Sequence, residues 1–141
     1  MKLNQILAQK GKAVFTICPD ATLAEAVQAM AQHHCGSLVV CDRGTMVGIV
    51  SERDILRGLA AETRSLSESF VYERMNHQVV TASPTDEIAE IMGQMTQHHI
   101  RHLPVIDQGQ LIGLVSMGDL VKAQYHELSK ENHFLMSYIQ S

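Results

Sequence analysis

Laid on itself at an offset of 65 residues, this 141-residue chain repeats without a gap. Val14 and Thr16 answer Val79 and Thr81, Pro19 answers Pro84, Ala24-Glu25 answer Ala89-Glu90, and Gln32-His33-His34 answer Gln97-His98-His99. Further on, Asp42, Gly44, Gly48, Val50, Ser51 and Asp54 answer Asp107, Gly109, Gly113, Val115, Ser116 and Asp119. A period of this length marks one supersecondary unit used twice, so any acceptable fold has to contain two copies of the same small motif.

Each copy is read from its periodicities. Val14 to Ile17, and Val79 to Ala82, are short β-prone runs closed by a nearby proline. Leu23, Ala26, Val27 and Met30 recur at helical spacing, as do Ile88, Ile91, Met92 and Met95. Thr22 followed by Glu25 fits a capping box at the start of the first of these helices. Ser37 to Cys41 and Met46 to Val50 flank Asp42-Arg43-Gly44-Thr45, in which Gly44 supplies the positive φ of a tight hairpin. Leu103 to Ile106 and Leu111 to Val115 flank Asp107-Gln108-Gly109-Gln110 in the same way, and both copies then pass into a helix at Ser51 or Ser116. The order is β-α-β-β-α twice, an α/β fold. Either copy alone leaves too much of its surface in water, so the two are expected to pack through a pseudo-twofold with paired clefts at their seam.

The polar stretch Glu62 to Ser69 reads as a connector before a short helical turn through Val71 to Met75. The expected division is 1–67 for the first motif with an N-terminal helix around Leu3, Ile6 and Leu7, and 68–141 for the second, together forming one globular module. After Asp119 the chain runs to Ser141 without Gly or Pro. Leu120, Val121, Tyr125, Leu128, Phe134, Leu135, Tyr138 and Ile139 predict a long terminal helix whose apolar side packs on the module or on a second subunit.

Composition narrows the function classes. A formal net charge of -4 supplies no general field for phosphate polymers, which argues against nucleic acid. No stretch approaches the roughly 20 apolar residues that cross a bilayer, and the opening MKLNQILAQKGK lacks the apolar core of a secretory signal, so a soluble cytoplasmic protein is expected. Cys18, Cys35 and Cys41 are odd in number and form no CxxC, which predicts reduced, buried thiols and no metal knuckle. The pairs His33-His34 and His98-His99 sit about 100° apart on a helix, the wrong geometry for a chelate, and are read as helix ends at an interface. No nucleophile motif, phosphate loop or metal-ligand cluster is present to support catalysis.

The segments GIVSERD from Gly48 to Asp54, GLVSMGD from Gly113 to Asp119 and RHLPVID from Arg101 to Asp107 resemble the CBS (cystathionine-β-synthase) motif, here in the tandem arrangement called a Bateman module. SERDILR and the terminal helix look like small stand-alone bacterial CBS-pair proteins. The resemblance implies a regulatory module, commonly a homodimer, that binds AMP, ADP, ATP or a related adenosyl ligand without chemistry of its own and signals to a regulated partner protein. Carried over by position, it puts Asp54 and Asp119 on the ribose hydroxyls, Ser51 and Ser116 near ribose or phosphate, and Thr16 and Thr81 near the base. Pro104 falls within the same motif, and Arg53, Arg101 and His102 are candidates to neutralise phosphate. Arg53 is answered by Gly118, and Arg101-His102 by Gly36-Ser37, so the two sites are expected to differ. Read on their residues alone, Ser51 to Asp54 and Ser116 to Asp119 are equally capping boxes. The alternatives are a purely structural or oligomerisation pair without nucleotide, and a sensor of NAD(H).

Overall fold

The computed structural model describes residues 1–11 and 13–140, so Ser141, the expected end of the terminal helix, lies outside them. In chain order the elements are α1 (Leu3–Lys10), β1 (Thr16–Ile17), α2 (Leu23–His33), β2 (Ser37–Asp42), β3 (Thr45–Ser51) and α3 (Glu52–Ala61), then a 3-10 turn (Leu66–Glu68). There follow α4 (Val71–Arg74), α5 (Ile88–Gln97), β4 (His102–Asp107), β5 (Gln110–Ser116) and α6 (Met117–Gln140). The repeated order is the one expected from the sequence.

The chain divides into two compact units, Ala13–Val80 and a second made of Met1–Lys12 with Thr81–Ser141. This grouping departs from the expected split after residue 67. The N-terminal helix belongs with the second repeat, and the short α4 belongs with the first.

In the unit Ala13–Val80, β1 pairs parallel to β2, and β2 pairs antiparallel to β3. Leu23, Ala26 and Met30 of α2 bury against Leu38, Val40 and Val50 of the sheet, with Ile55 of α3 and Val71 of α4 completing the core. Full burial of each such side chain is worth about 1.5–3 kcal/mol. Val27, expected on the same face, is 37% exposed and lies at its edge. The hairpin is tighter than the glycine alone implied, because Arg43 (φ 52°) and Gly44 (φ 80°) both take positive φ, as type I′ geometry requires.

In the other unit, β4 and β5 repeat that hairpin, with Gln108 (φ 51°) and Gly109 (φ 77°) at its turn and a register shift at the matching place, Val105/Ile106 against Val40/Cys41. The expected strand Val79 to Ala82 shrinks to a single parallel bridge between Ala82 and Val105, fixed by Ala82 N–H to Pro104 O (3.0 Å) and Ile106 N–H to Ala82 O (2.8 Å). Alanine stands here where the first repeat has Ile17, and the loss of a β-branched side chain leaves little to hold a longer strand. The first repeat's strand is itself shorter than Val14 to Ile17, beginning at Thr16.

Each repeat is completed by the helix that precedes or follows it in a matching way. Leu3 N–H bonds Asp86 O (3.1 Å) and Ile88 N–H bonds Met1 O (3.0 Å), while Val71 N–H bonds Ala21 O (2.8 Å) and Leu23 N–H bonds Ser69 O (2.9 Å). Side chains then dock on a glycine of the last strand. A Cβ at Gly113 would stand 2.6 Å from the Leu7 side chain, and one at Gly48 would stand 2.9 Å from both the Met75 sulfur and the Asn76 carbonyl oxygen. Leu7 is only 1% exposed and has nowhere to retreat.

Both histidine pairs end their helices, with His34 (φ 54°) and His99 (φ 56°) in the left-handed conformation that closes the last turn. His33 stacks on Phe15 with ring centroids 3.8 Å apart. The thiols are less buried than expected: Cys18 is exposed and Cys35 and Cys41 are half-buried. Among the described residues no helix is long and apolar enough to cross a membrane.

Gly48→Ala and Gly113→Ala are each expected to cost about 1–3 kcal/mol in chemical denaturation through overpacking. Gly93→Ala, whose Cβ meets nothing within 4 Å in α5, should instead stabilise by about 0.5–1 kcal/mol.

Candidate functional site

In both units the last strand runs straight into a helix through a serine, and the residue three positions on is an aspartate. Ser51 caps α3: its hydroxyl accepts the Asp54 N–H (3.3 Å), while Asp54 Oδ2 accepts the Ser51 N–H and the Ser51 hydroxyl, each at 2.9 Å. Ser116 repeats the arrangement at α6, its hydroxyl accepting the Asp119 N–H (3.0 Å) and Asp119 Oδ2 accepting the Ser116 N–H (2.9 Å). The capping reading of both motifs is therefore correct. It leaves the second carboxylate oxygen of Asp54 unbonded among the described residues, on a half-buried side chain beside the helix N-terminus.

The junction is tied back to the start of its hairpin. Glu52 N–H bonds Gly36 O (3.0 Å), and Met117 N–H bonds Arg101 O (2.8 Å). Ser37 pairs with Ser51 across the ladder, and His102 with Ser116. Gly36 and Arg101 are thus structural equivalents with different consequences. The Glu52 carboxylate fills the space over Gly36, where a Cβ would stand 2.7 Å from Oε1, whereas the second unit puts an exposed Arg101 there. Ser37 Oγ is buried without a partner among the described residues.

Of the residues singled out in the sequence, the structure brings Arg101, His102, Ser116 and Asp119 together in one unit, and Ser51 and Asp54 together in the other, with exposed Arg53 in the same first helical turn. Thr16 is exposed on β1 and pairs with Val39, two residues along β2 from Ser37. Thr81 is exposed beside the Ala82 bridge, and Pro104 is buried in β4, accepting that bridge at its carbonyl. Thr16 and Pro104 lie on strands and Thr81 next to a bridge, none of them in the capped turn.

Sequence reasoning missed Lys10. Its ammonium donates to Asp119 Oδ2 (2.6 Å) and to the Leu114 carbonyl (2.7 Å). The pair is partly shielded, with the Asp119 side chain 28% exposed. Burial pulls the Asp119 carboxyl upward, but Lys10 and the Ser116 N–H outweigh it and hold the group below the usual aspartate value. The one available signal was the position of Lys10 a single turn beyond Leu7 on α1, and using it required knowing that α1 belongs to the second repeat. Among the described residues Asp54 has no such cation, so the two junctions differ in charge as well as in neighbours.

The model of the CBS domain matches residues 11–61 and 70–126. The chain is 35% identical over 147 aligned residues to the mitochondrial CBS domain-containing protein CBSX3 of Arabidopsis thaliana, covering 98% of this chain and 71% of that one. A CBS-domain protein of Agrobacterium tumefaciens superposes with a TM-score of 0.85 at 33% identity, over 88% of this chain and 99% of that one. The CBS domain pair of the protein MJ0100, solved with 5′-methylthioadenosine and S-adenosyl-L-methionine, superposes with a TM-score of 0.78 at 23% identity, over 90% of this chain and 98% of that one, a likeness of fold. Two matched repeats, each with the same capped strand-to-helix junction, make this chain a member of the CBS domain family, with two CBS domains in tandem.

Proposed function

We propose that the chain is a regulatory module that binds an adenosine-containing ligand at its Ser-x-x-Asp junctions, without transforming it. The observation that carries the reading is Asp54: one oxygen is fixed by the Ser51 cap, and the other is held at the N-terminus of α3 with no protein donor among the described residues. A carboxylate oxygen has two lone pairs and suits adjacent ribose hydroxyls, while Arg53, whose backbone N–H is not taken by the bonds that hold those of Glu52 and Asp54, suits phosphate. The adenosyl ligands of the MJ0100 pair support the same ligand class. AMP, ADP, ATP and NAD(H) all carry the required adenosine.

The two junctions have different tasks in this proposal. Lys10 already neutralises Asp119, and Arg101 and His102 stand beside it, so that junction favours a ligand bearing phosphate. The alternative is a structural CBS pair that needs no nucleotide; Lys10 and the Ser116 N–H share Asp119 Oδ2, which leaves Oδ1 for a ribose hydroxyl at this junction too. Ligand binding acts by shifting the population of assembled forms that a regulated partner protein reads, which requires unequal affinity for those forms. The module works in the cytoplasm, as a homodimer, without nucleic acid or membrane.

Calorimetric titration with AMP, ADP, ATP, NADH and S-adenosylmethionine is expected to give saturable binding by at least one of them; no heat from any, with an unchanged melting temperature at millimolar concentration, leaves the structural reading in its place. Asp54→Asn keeps an oxygen for the Ser51 cap but loses the charge, and should weaken binding about tenfold or more with the melting curve retained. Lys10→Met should reduce the preference of the protein for ATP over unphosphorylated adenosine, read as the ratio of their dissociation constants.

A further inference from the structure

Helix α6 carries two faces. Leu120 (0% exposed) and Ala123 (8%) pack on their own unit. About 130° round the helix from them runs a second row, Val121, Tyr125, Leu128, Asn132, Leu135 and Ile139, at alternating spacings of four and three. Its apolar members are 50%, 69%, 55%, 56% and 76% exposed in that order. An alternation of four and three is a heptad seam, in which Val121, Leu128 and Leu135 take the d positions and Tyr125, Asn132 and Ile139 take the a positions. A helix that merely lay on its own domain would need only the first face.

We propose that this row is an interaction surface for α6 of a second copy of the chain, forming a parallel two-stranded coiled coil. The orientation follows from Asn132 and Glu131. In a parallel pair Asn132 at a meets Asn132 of the second copy and the two amides satisfy each other, the arrangement by which a single a-position Asn fixes register and strand number. Glu131 at g then faces Met136 at e of the second copy. In the antiparallel pairing that aligns the same apolar residues, Asn132 faces Leu128 and is left unsatisfied, and Glu131 meets Glu131 of the second copy, a like-charge contact.

The area is sufficient for such a pair. The five apolar seam residues with Met136 and Tyr138, which are 56% and 75% exposed, contribute seven side chains from each copy. At somewhat under roughly 100 Å² apiece these bury on the order of 1,000 Å² in total, the lower bound of a specific interface. The surface is independent of the nucleotide reading, since none of its residues belongs to the capped junctions.

Ile139→Cys in the full chain tests both contact and orientation, with the parent and its three cysteines as baseline. Mild oxidation should give a covalent dimer on a non-reducing gel well above that baseline. The dimer should be lost when Leu128→Asp and Leu135→Asp are added, with the folded units retained by circular dichroism because both residues are more than half exposed, at 55% and 56%. Asn132→Leu should raise the sedimenting mass or broaden its distribution as the strand number loses its determinant. Absence of the Ile139→Cys dimer together with absence of any cross-link between 121 and 139 in mixed Val121→Cys and Ile139→Cys chains, or persistence of the dimer beside the two aspartates, overturns the surface. A mixture of Val121→Cys and Ile139→Cys chains that cross-links chiefly 121 to 139 overturns the parallel orientation.

Discussion

Each unit is closed by one kind of contact, a side chain from a flanking segment lying directly on the backbone of the last strand where a glycine leaves room. Leu7 meets Gly113 and Met75 meets Gly48. The glycines matter here for what they lack: each needs to present bare backbone, because a methyl group would occupy the volume of the docked side chain. Around that contact the flanking segment adds its own backbone bonds to the loop before the repeat's first helix, at Asp86 and Met1 in one unit and at Ala21 and Ser69 in the other. A β-α-β-β-α motif too small to close its own core is closed in this way by an added helix.

The same docking determines the difference between the two junctions. Because α1 continues one turn past Leu7, it delivers Lys10 to Asp119. The helix that closes the other unit, α4, has four residues and stops at Arg74, whose guanidinium instead packs over Gly58 and pairs with Glu62 at 2.9 Å. A difference in helix length thus becomes a difference in electrostatics at the site. Both aspartates keep Oδ1 unbonded among the described residues, but only Asp119 is paired with a cation, although the two motifs are equivalent by sequence position.

How far the sequence disclosed this follows from how far each signal reaches along the chain. The repeat, the helices at three-and-four spacing and the serine-aspartate caps depend on residues a few positions apart, and all were legible. So was the CBS resemblance, which rests on those short motifs. The first strand of the second repeat was overread, since Val79 to Ala82 looks β-prone by itself but ends at a small residue that makes one bridge. The positive φ of Arg43 and Gln108 was hidden because neither residue type announces it; the hairpin imposes it. The assignment of α1 was hidden for a different reason. Proximity in sequence favoured the first repeat, and nothing within Leu3 to Lys10 records a partner 109 positions away at Asp119.

The terminal helix shows a third kind of legibility. Its apolar content was plain, but a list of apolar residues does not say how many faces they form. Leu120 and Ala123 being buried while Val121, Tyr125 and Leu128 are exposed separates them into two rows that the sequence alone superimposes. Only after the packed row is removed does the remaining one display its heptad, with a single polar member at Asn132. An apolar residue in that place would strengthen association but leave strand number and direction open, so the asparagine is better understood as a determinant of one arrangement than as a flaw in the seam. That is the reverse of its meaning on an ordinary surface helix, where an exposed Asn requires no explanation.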